Sequence, residues 1–241
     1  STFIFSTIII SLYMKNSFSL KWSVFGVLVK LFKNVTLYLS VRHKLVKKFD
    51  ARLLKNYESN GCYGSPPHII KVKVIKEFVE KYHPKIFVET GTYYGDMVDS
   101  VSKNFDKIYS IELDPYLFKS SKKRFKSKNH IEIIQGDSSK KLKKVLEEIN
   151  QPTLFWLDGH WSEGQTARGI KDTPILEELT TIFESKIFEH IIIIDDARCF
   201  GTFPSYPTLD ELKKFVYDKK KNVEINVEFD SIRITPTNKF N

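Results

Sequence analysis

Residues from about 65 to 236 predict a doubly wound α/β domain, on three observations. Short apolar, strand-like runs alternate with helix-like segments, the pattern of repeated βα units around a parallel sheet. One run, Ile191 to Ile194, is apolar throughout and suits the buried centre of such a sheet. Glycines and carboxylates recur just after the runs, where open α/β sheets bind ligands.

The elements follow in order. Gly61, Gly64, Pro66 and Pro67 mark a boundary between a basic, partly apolar N-terminal helical extension, residues 1–60, and the main domain, residues 61–241. Val72, Ile75, Phe78, Val79 and Tyr82 fall at helical spacing, and Pro84 stops that helix. Ile86 to Val88 is a strand, Gly95 to Phe105 a helix, and Ile108 to Ile111 a strand. Pro115 to Phe125 reads as a helix with proline in its first turn. Ile131 to Ile134 is a strand, Ser138 to Ile149 a helix, and Leu154 to Leu157 a strand. Pro174 to Phe183 is a helix opened by Asp172 or Thr173, and Leu209 to Tyr217 is the last helix. Val223 to Phe229 and Ser231 to Thr235 form a closing antiparallel pair.

The 241 residues, 41% hydrophobic and 28% charged, suit one such domain plus an extension. Two cysteines, Cys62 and Cys199, imply no disulfide framework and point to a reduced, cytoplasmic setting. The net charge of +9 is uneven: ten Lys or Arg against Asp50 and Glu58 give residues 1–60 a charge of +8 and leave +1 for the rest. A nearly neutral body argues against a phosphate-tracking face, so no nucleic-acid partner is expected.

The arm needs its own account. Thr2 to Met14 is uncharged and strongly apolar, yet shorter than the ~20 residues of a spanning helix, and Lys15 and Lys21 interrupt any extension. A basic start and a small-residue cleavage site, the marks of a secretory signal, are missing. Beyond it Lys30, Lys33, Arg42, Lys44, Lys47 and Lys48 interleave with Phe32, Leu37, Leu39, Val41 and Leu45. That mix suits an interfacial helix on an anionic membrane, giving residues 1–48 a peripheral contact at the inner face. It equally suits a helix packed on the core or on another subunit, which leaves a homo-oligomer open.

The strand ends carry the chemistry. After the first strand comes Glu89-Thr90-Gly91-Thr92-Tyr93-Tyr94-Gly95, whose glycines let the backbone turn tightly and approach a ligand. The third glycine of a dinucleotide fingerprint is missing, so no pyrophosphate cradle is predicted. Glu112 ends the second strand 23 residues after Glu89, close to the distance at which an acid takes a ribose hydroxyl pair. Gly136-Asp137-Ser138 follows the third strand, placed to meet an adenine edge.

Together these segments resemble the class I S-adenosylmethionine-dependent methyltransferases over roughly residues 65–236. The resemblance implies a seven-stranded Rossmann-like sheet whose last strand is antiparallel and inserted beside the fifth. It implies that Glu89, Gly91, Thr92, Tyr93 and Gly95 hold the methionine portion of the cofactor and Glu112 its ribose. Asp137 and Ser138 then meet the adenine side, and Asp158 borders the cofactor.

The fourth strand ends at Asp158-Gly159-His160-Trp161 and the fifth at Asp195-Asp196. As neighbours in the sheet, these strands bring three carboxylates into one crevice, where they repel unless a cation sits between them. Oxygen ligands select Mg²⁺, Ca²⁺ or Mn²⁺. The alternative is that Asp195 caps the next segment and Asp196 is solvated. The positions resemble the metal-dependent O-methyltransferases of the catechol and macrocin types, which implies Mg²⁺ on Asp158, Asp195 and Asp196. Their Asp-Gly-Asp reads Asp158-Gly159-His160 here, and an imidazole can serve as base at that departure. Asp158 and His160 are therefore the catalytic candidates; His43, His83, His130 and His190 read as structural or surface residues. Trp161, Gln165 and Arg168, in the loop above, are candidates for acceptor binding. Cys62 to His68 is either a lid over the cofactor or a turn.

A sulfonium methyl is already activated, so the protein mainly aligns an oxygen with it, and a cation lowers the pKa of a poorly nucleophilic hydroxyl. The expected function is an Mg²⁺-dependent O-methyltransferase for a sugar, glycan or other small hydroxylated acceptor. The arm suits an acceptor carried on a lipid, as in surface polysaccharide biosynthesis. A nucleotide-sugar-modifying or oxidoreductase enzyme is disfavoured by the missing glycine. A non-catalytic membrane-associated binding module is disfavoured by the retained acids, and RNA methylation by the +1 body.

Overall fold

Runs that are apolar at every position must be covered on both faces, and the sheet provides that cover. The computed structural model describes residues 52–62, 64–159, 173–187 and 189–237. Residues 1–48 of the arm, and His160, Trp161, Gln165 and Arg168, lie outside the described residues. The strands are β1 (Ile86–Thr90), β2 (Lys107–Glu112), β3 (Ile131–Gln135), β4 (Thr153–Leu157), β5 (Ile191–Ile194), β6 (Val223–Glu228) and β7 (Ser231–Pro236). Their order is β3-β2-β1-β4-β5-β7-β6. β1 to β5 are parallel, and β7 enters antiparallel beside β5 with β6 outside it, as the resemblance implies.

The helices are α1 (His68–Tyr82), α2 (Asp96–Val101), α3 (Pro115–Arg124), α4 (Ser138–Glu148), α5 (Ile175–Phe183) and α6 (Leu209–Lys219). Alternation along the strands divides the core in two. Val88, Phe155, Leu157, Ile192 and Ile194 pack with Leu142 and Val145 of α4, Leu179 and Ile182 of α5, and Leu212 and Val216 of α6. Phe87, Leu154, Trp156, Ile191 and Ile193 pack with Val74, Ile75 and Phe78 of α1 and Met97, Val98 and Val101 of α2 on the other face. The same alternation aims position 195, two past Ile193, at the α1 side.

Several boundaries differ from the sequence reading. The helix expected over Gly95 to Phe105 ends at Val101, with Gly95 its N-cap at φ 76°. The chain then turns so that the Phe105 ring stacks 5.0 Å from that of Phe87. α1 begins at His68, earlier than its apolar stripe requires, and its Nε2 lies 3.1 Å from Ser100 Oγ on α2. His68 therefore belongs to α1 and not to the loop before it. α5 is opened by Pro174, without a side-chain cap hydrogen bond; neither Asp172 (outside the described residues) nor Thr173 is its N-cap. Among the described residues no helix is long and apolar enough to cross a membrane.

Candidate active site

The carboxyl ends of β1, β2, β4 and β5 are brought together by the parallel register. Glu89 pairs across with Ser110 and Trp156, so the loops after β1, β2 and β4 leave the sheet at one level. Gly91 N–H donates to Ile111 O at 2.9 Å and Asp158 N–H to Thr90 O at 3.1 Å. A Cβ on Gly91, whose φ is 86°, would lie 2.3 Å from the Asp158 carbonyl oxygen. Only glycine lets the β1 and β4 ends approach this closely. Tyr93 also takes a left-handed conformation, at φ 50°.

This loop is braced from behind by α3. Arg124 Nη1 donates to Tyr94 O and to Asp96 Oδ1, each at 2.7 Å, while Ser121 Oγ donates to Tyr93 O at 3.1 Å. Neither Arg124 nor Ser121 is legible as a site residue, since a basic last helical turn normally needs no explanation beyond the dipole.

Of the acids proposed for the cofactor, Glu89 is 2% exposed and accepts a hydrogen bond from the Ser110 hydroxyl, which Thr92 Oγ1 meets in turn at 2.6 Å. Burial holds Glu89 well above the usual carboxylate range; Ser110 opposes this, while the charges of Asp158 and Glu112 add to it. Glu112 accepts from Tyr93 N–H at 2.7 Å and from Asp114 N–H at 2.8 Å. Burial still pushes it up to about 7 against those bonds. Asp137 is the N-cap of α4, accepting from Ser139 N–H at 3.1 Å, with Ser138 buried beside it. Its carboxylate therefore already has a structural task.

Asp158, Asp195 and Asp196 do converge, with one carboxylate oxygen from each within 4.8 Å of the others. Asp195 and Asp196 are 3% and 4% exposed, so the alternative of a solvated Asp196 is not what the fold shows. Nor does Asp195 cap the following 3₁₀ turn, Ala197–Cys199: its N-cap is Asp196, left-handed at φ 56°, without a side-chain cap bond. A non-glycine residue in that conformation is strained, and such strain gathers at functional sites.

The cluster already contains cations. Lys71 Nζ on α1 makes an ion pair with Asp195 Oδ2. Burial disfavours the ammonium, but Asp195, Asp158 and Asp196 together raise its pKa. Asp195 is pushed up by burial and by Asp158, and Lys71 pulls the other way. Arg198 Nη1 donates to Asp196 Oδ1 at 2.6 Å and also pairs with Asp230 in the β6–β7 turn. Asp195 Oδ1 is buried with no hydrogen-bond partner among the described residues. Hard oxygen donors, strain and that orphaned oxygen all fit a divalent cation. Lys71 was readable: it continues the buried stripe of α1, four before Ile75 and seven before Phe78, where a charge is out of place.

Among the described residues, His83, His130 and His190 hold structure. His190 Nδ1 accepts from Thr153 N–H at 3.3 Å, its Nε2 lies 3.0 Å from Ser185 Oγ, and burial, then Lys220, lowers its pKa to about 4. His130 Nε2 lies 3.0 Å from Ser102 O, and His83 caps α1. Glu178, which sequence reasoning passed over, is a buried acid on α5 beside Gly159, pushed up to about 7 by burial.

Solved structures share this fold at low sequence identity. The S-adenosylhomocysteine-bound methyltransferase PaMTH1 of Podospora anserina superposes with a TM-score of 0.51 at 15% identity, covering 86% of this chain and 97% of its own. The O-methyltransferase TomG of Streptomyces achromogenes, involved in tomaymycin synthesis and solved with S-adenosylmethionine, gives 0.51 at 14%, covering 78% and 89%. An O-methyltransferase of Bacillus cereus with S-adenosylhomocysteine gives 0.52 at 11%, covering 78% and 90%. The chain has the Rossmann-like methyltransferase fold. No family model matches the sequence, and no curated protein matches it.

Proposed function

We propose that the chain is an S-adenosylmethionine-dependent O-methyltransferase. The observation that carries this reading is the acidic crevice: Glu89, Glu112, Asp158, Asp195 and Asp196 meet at four strand ends, and burial, with neighbouring carboxylates adding to it, raises the pKa of Glu89, Glu112 and Asp195. Such a crevice attracts a cofactor bearing a sulfonium and an ammonium and repels a dinucleotide pyrophosphate. In this reading Gly91, Thr92, Tyr93 and Gly95 present backbone to the methionine portion, beside Glu89. Glu112 accepts from the ribose hydroxyls, and Asp137 and Ser138 border the adenine.

Mg²⁺ is the ion proposed for Asp158, Asp195 and Asp196, whose carboxylates fit it on the geometry above. When bound there it would lower the pKa of an acceptor hydroxyl. His160 is proposed as the base that removes the hydroxyl proton, and Trp161, Gln165 and Arg168 as acceptor contacts. The acceptor proposed is a sugar or glycan hydroxyl, the setting the inner membrane face, and the arm the membrane contact.

Calorimetric titration with S-adenosylhomocysteine, with NAD as control, tests the reading. Tight binding of the first and none of the second is expected. No heat from S-adenosylhomocysteine with well-folded protein would remove the methyltransferase assignment.

A further inference from the structure

Two buried acids, Asp195 and Asp196, and the half-buried Asp158 at the end of the neighbouring strand cannot all stay ionised without compensating charge. Among the described residues the fold supplies it twice, by different means. Arg198 Nη1 is held by both Asp196 and Asp230, and the Arg198 backbone N–H donates to Asp230 Oδ1 at 2.8 Å. Lys71 reaches in from α1 on a flexible stem, its side chain 18% exposed, to meet an Asp195 side chain that is 1% exposed. Its ion pair uses Oδ2 alone, leaving the buried Oδ1 without a hydrogen-bond partner among the described residues. A lysine ammonium is a mobile point charge with rotatable donors, whereas the Arg198 guanidinium is fixed by two acids.

We propose that Lys71 is the resident cation of the acid cluster, and that a divalent ion competes with its ammonium for the Asp195 carboxylate. The proposal rests on the metal-site reading above and goes beyond it in naming what the metal must displace. Lys71 is then a positioning residue: without an ion it holds Asp195 toward Asp158 and Asp196, and on metal entry it swings toward solvent along its exposed side. It keeps the folded chain independent of metal and sets how much ion is needed for loading.

The test is direct titration of the full chain with Mn²⁺, by calorimetry, for wild type, Lys71→Met, Lys71→Gln and Lys71→Arg, with melting temperatures in chelator and in excess Mn²⁺. Both neutral variants are expected to bind Mn²⁺ at least tenfold more tightly than wild type. They should also melt several degrees lower in chelator and regain that loss with metal, while Lys71→Arg stays near wild type. Binding by the neutral variants alone also supports the proposal, and makes Lys71 the excluder of divalent ions from the natural chain. Equal or weaker Mn²⁺ affinity in the neutral variants overturns the competition and leaves the metal site standing. No Mn²⁺ binding by any protein overturns both.

Discussion

Glu112 shows how one residue can carry both fold and function. Two backbone N–H groups hold its carboxylate at the end of β2, yet burial leaves its pKa at about 7. Between the ordinary carboxylate value near 4.5 and 7, the folded chain keeps a proton that the unfolded chain has released. By linkage this acid lowers stability as pH rises through that window. Ribose hydroxyls donating to it favour the ionised form, so S-adenosylhomocysteine affinity should increase several-fold as pH rises from about 5.5 to 7 and then level off. Glu112→Gln should flatten that profile; the same slope in the variant would assign the proton elsewhere. At Asp196 the expectation is a separation of functions: Asp196→Ala keeps cofactor affinity within about twofold and loses Mg²⁺-dependent methyl transfer. Reduced cofactor affinity with an unchanged metal response would contradict the assignment. The acids were legible because each ends an apolar run, a place where open sheets put ligands. For Lys71 the break in the apolar stripe of α1 marks the residue but not its partner 124 positions on, and for Arg198 the partner Asp230 lies 32 positions on.

Among the elements, the loop after β1 is the most constrained. Gly91→Ala places a methyl against the Asp158 carbonyl and forces a left-handed residue to carry a side chain. The variant should lose at least about 2 kcal/mol of stability in urea and most of its affinity for S-adenosylhomocysteine. Unchanged binding would show that the β1–β4 approach is not what shapes the site. Among the described residues of the domain, periodicity and proline located each α-helix and strand but not the 3₁₀ turn Ala197–Cys199, because an amphipathic helix and a doubly buried strand leave different spacings. Ends were less legible. α2 stops at Val101 because Phe105 is drawn to Phe87, and the start of α1 at His68 depends on contacts with α2. In the β6–β7 turn, Phe229 and Asp230 both take positive φ, and Asp230 uses that geometry to reach Arg198. No glycine marks that turn, so its second task was hidden.

Across the whole molecule, the net positive charge is concentrated in the first 60 residues, while the domain is close to neutral. Full-length protein is therefore expected to co-sediment with anionic vesicles and to be released by salt, and protein lacking residues 1–48 to stay in the supernatant. Cutting at 48 spares the helical residues 52–59, whose Tyr57 is 6% exposed. Equal sedimentation of the two proteins would remove the membrane contact and favour packing on the core or on a second copy. Sequence by itself determined the class of fold, the order of its elements and the acids at the strand ends, since hydrophobic period and strand-end position are local properties of the chain. Only the tertiary structure decided which charges meet: that Lys71 enters the acid cluster, that Arg198 bridges Asp196 to Asp230, and that Arg124 braces the glycine loop. The Lys71–Asp195 and Arg124–Tyr94 pairings join residues 124 and 30 positions apart, and α1 and α3, packed against one face of the sheet, carry them. No local pattern encodes such a distance.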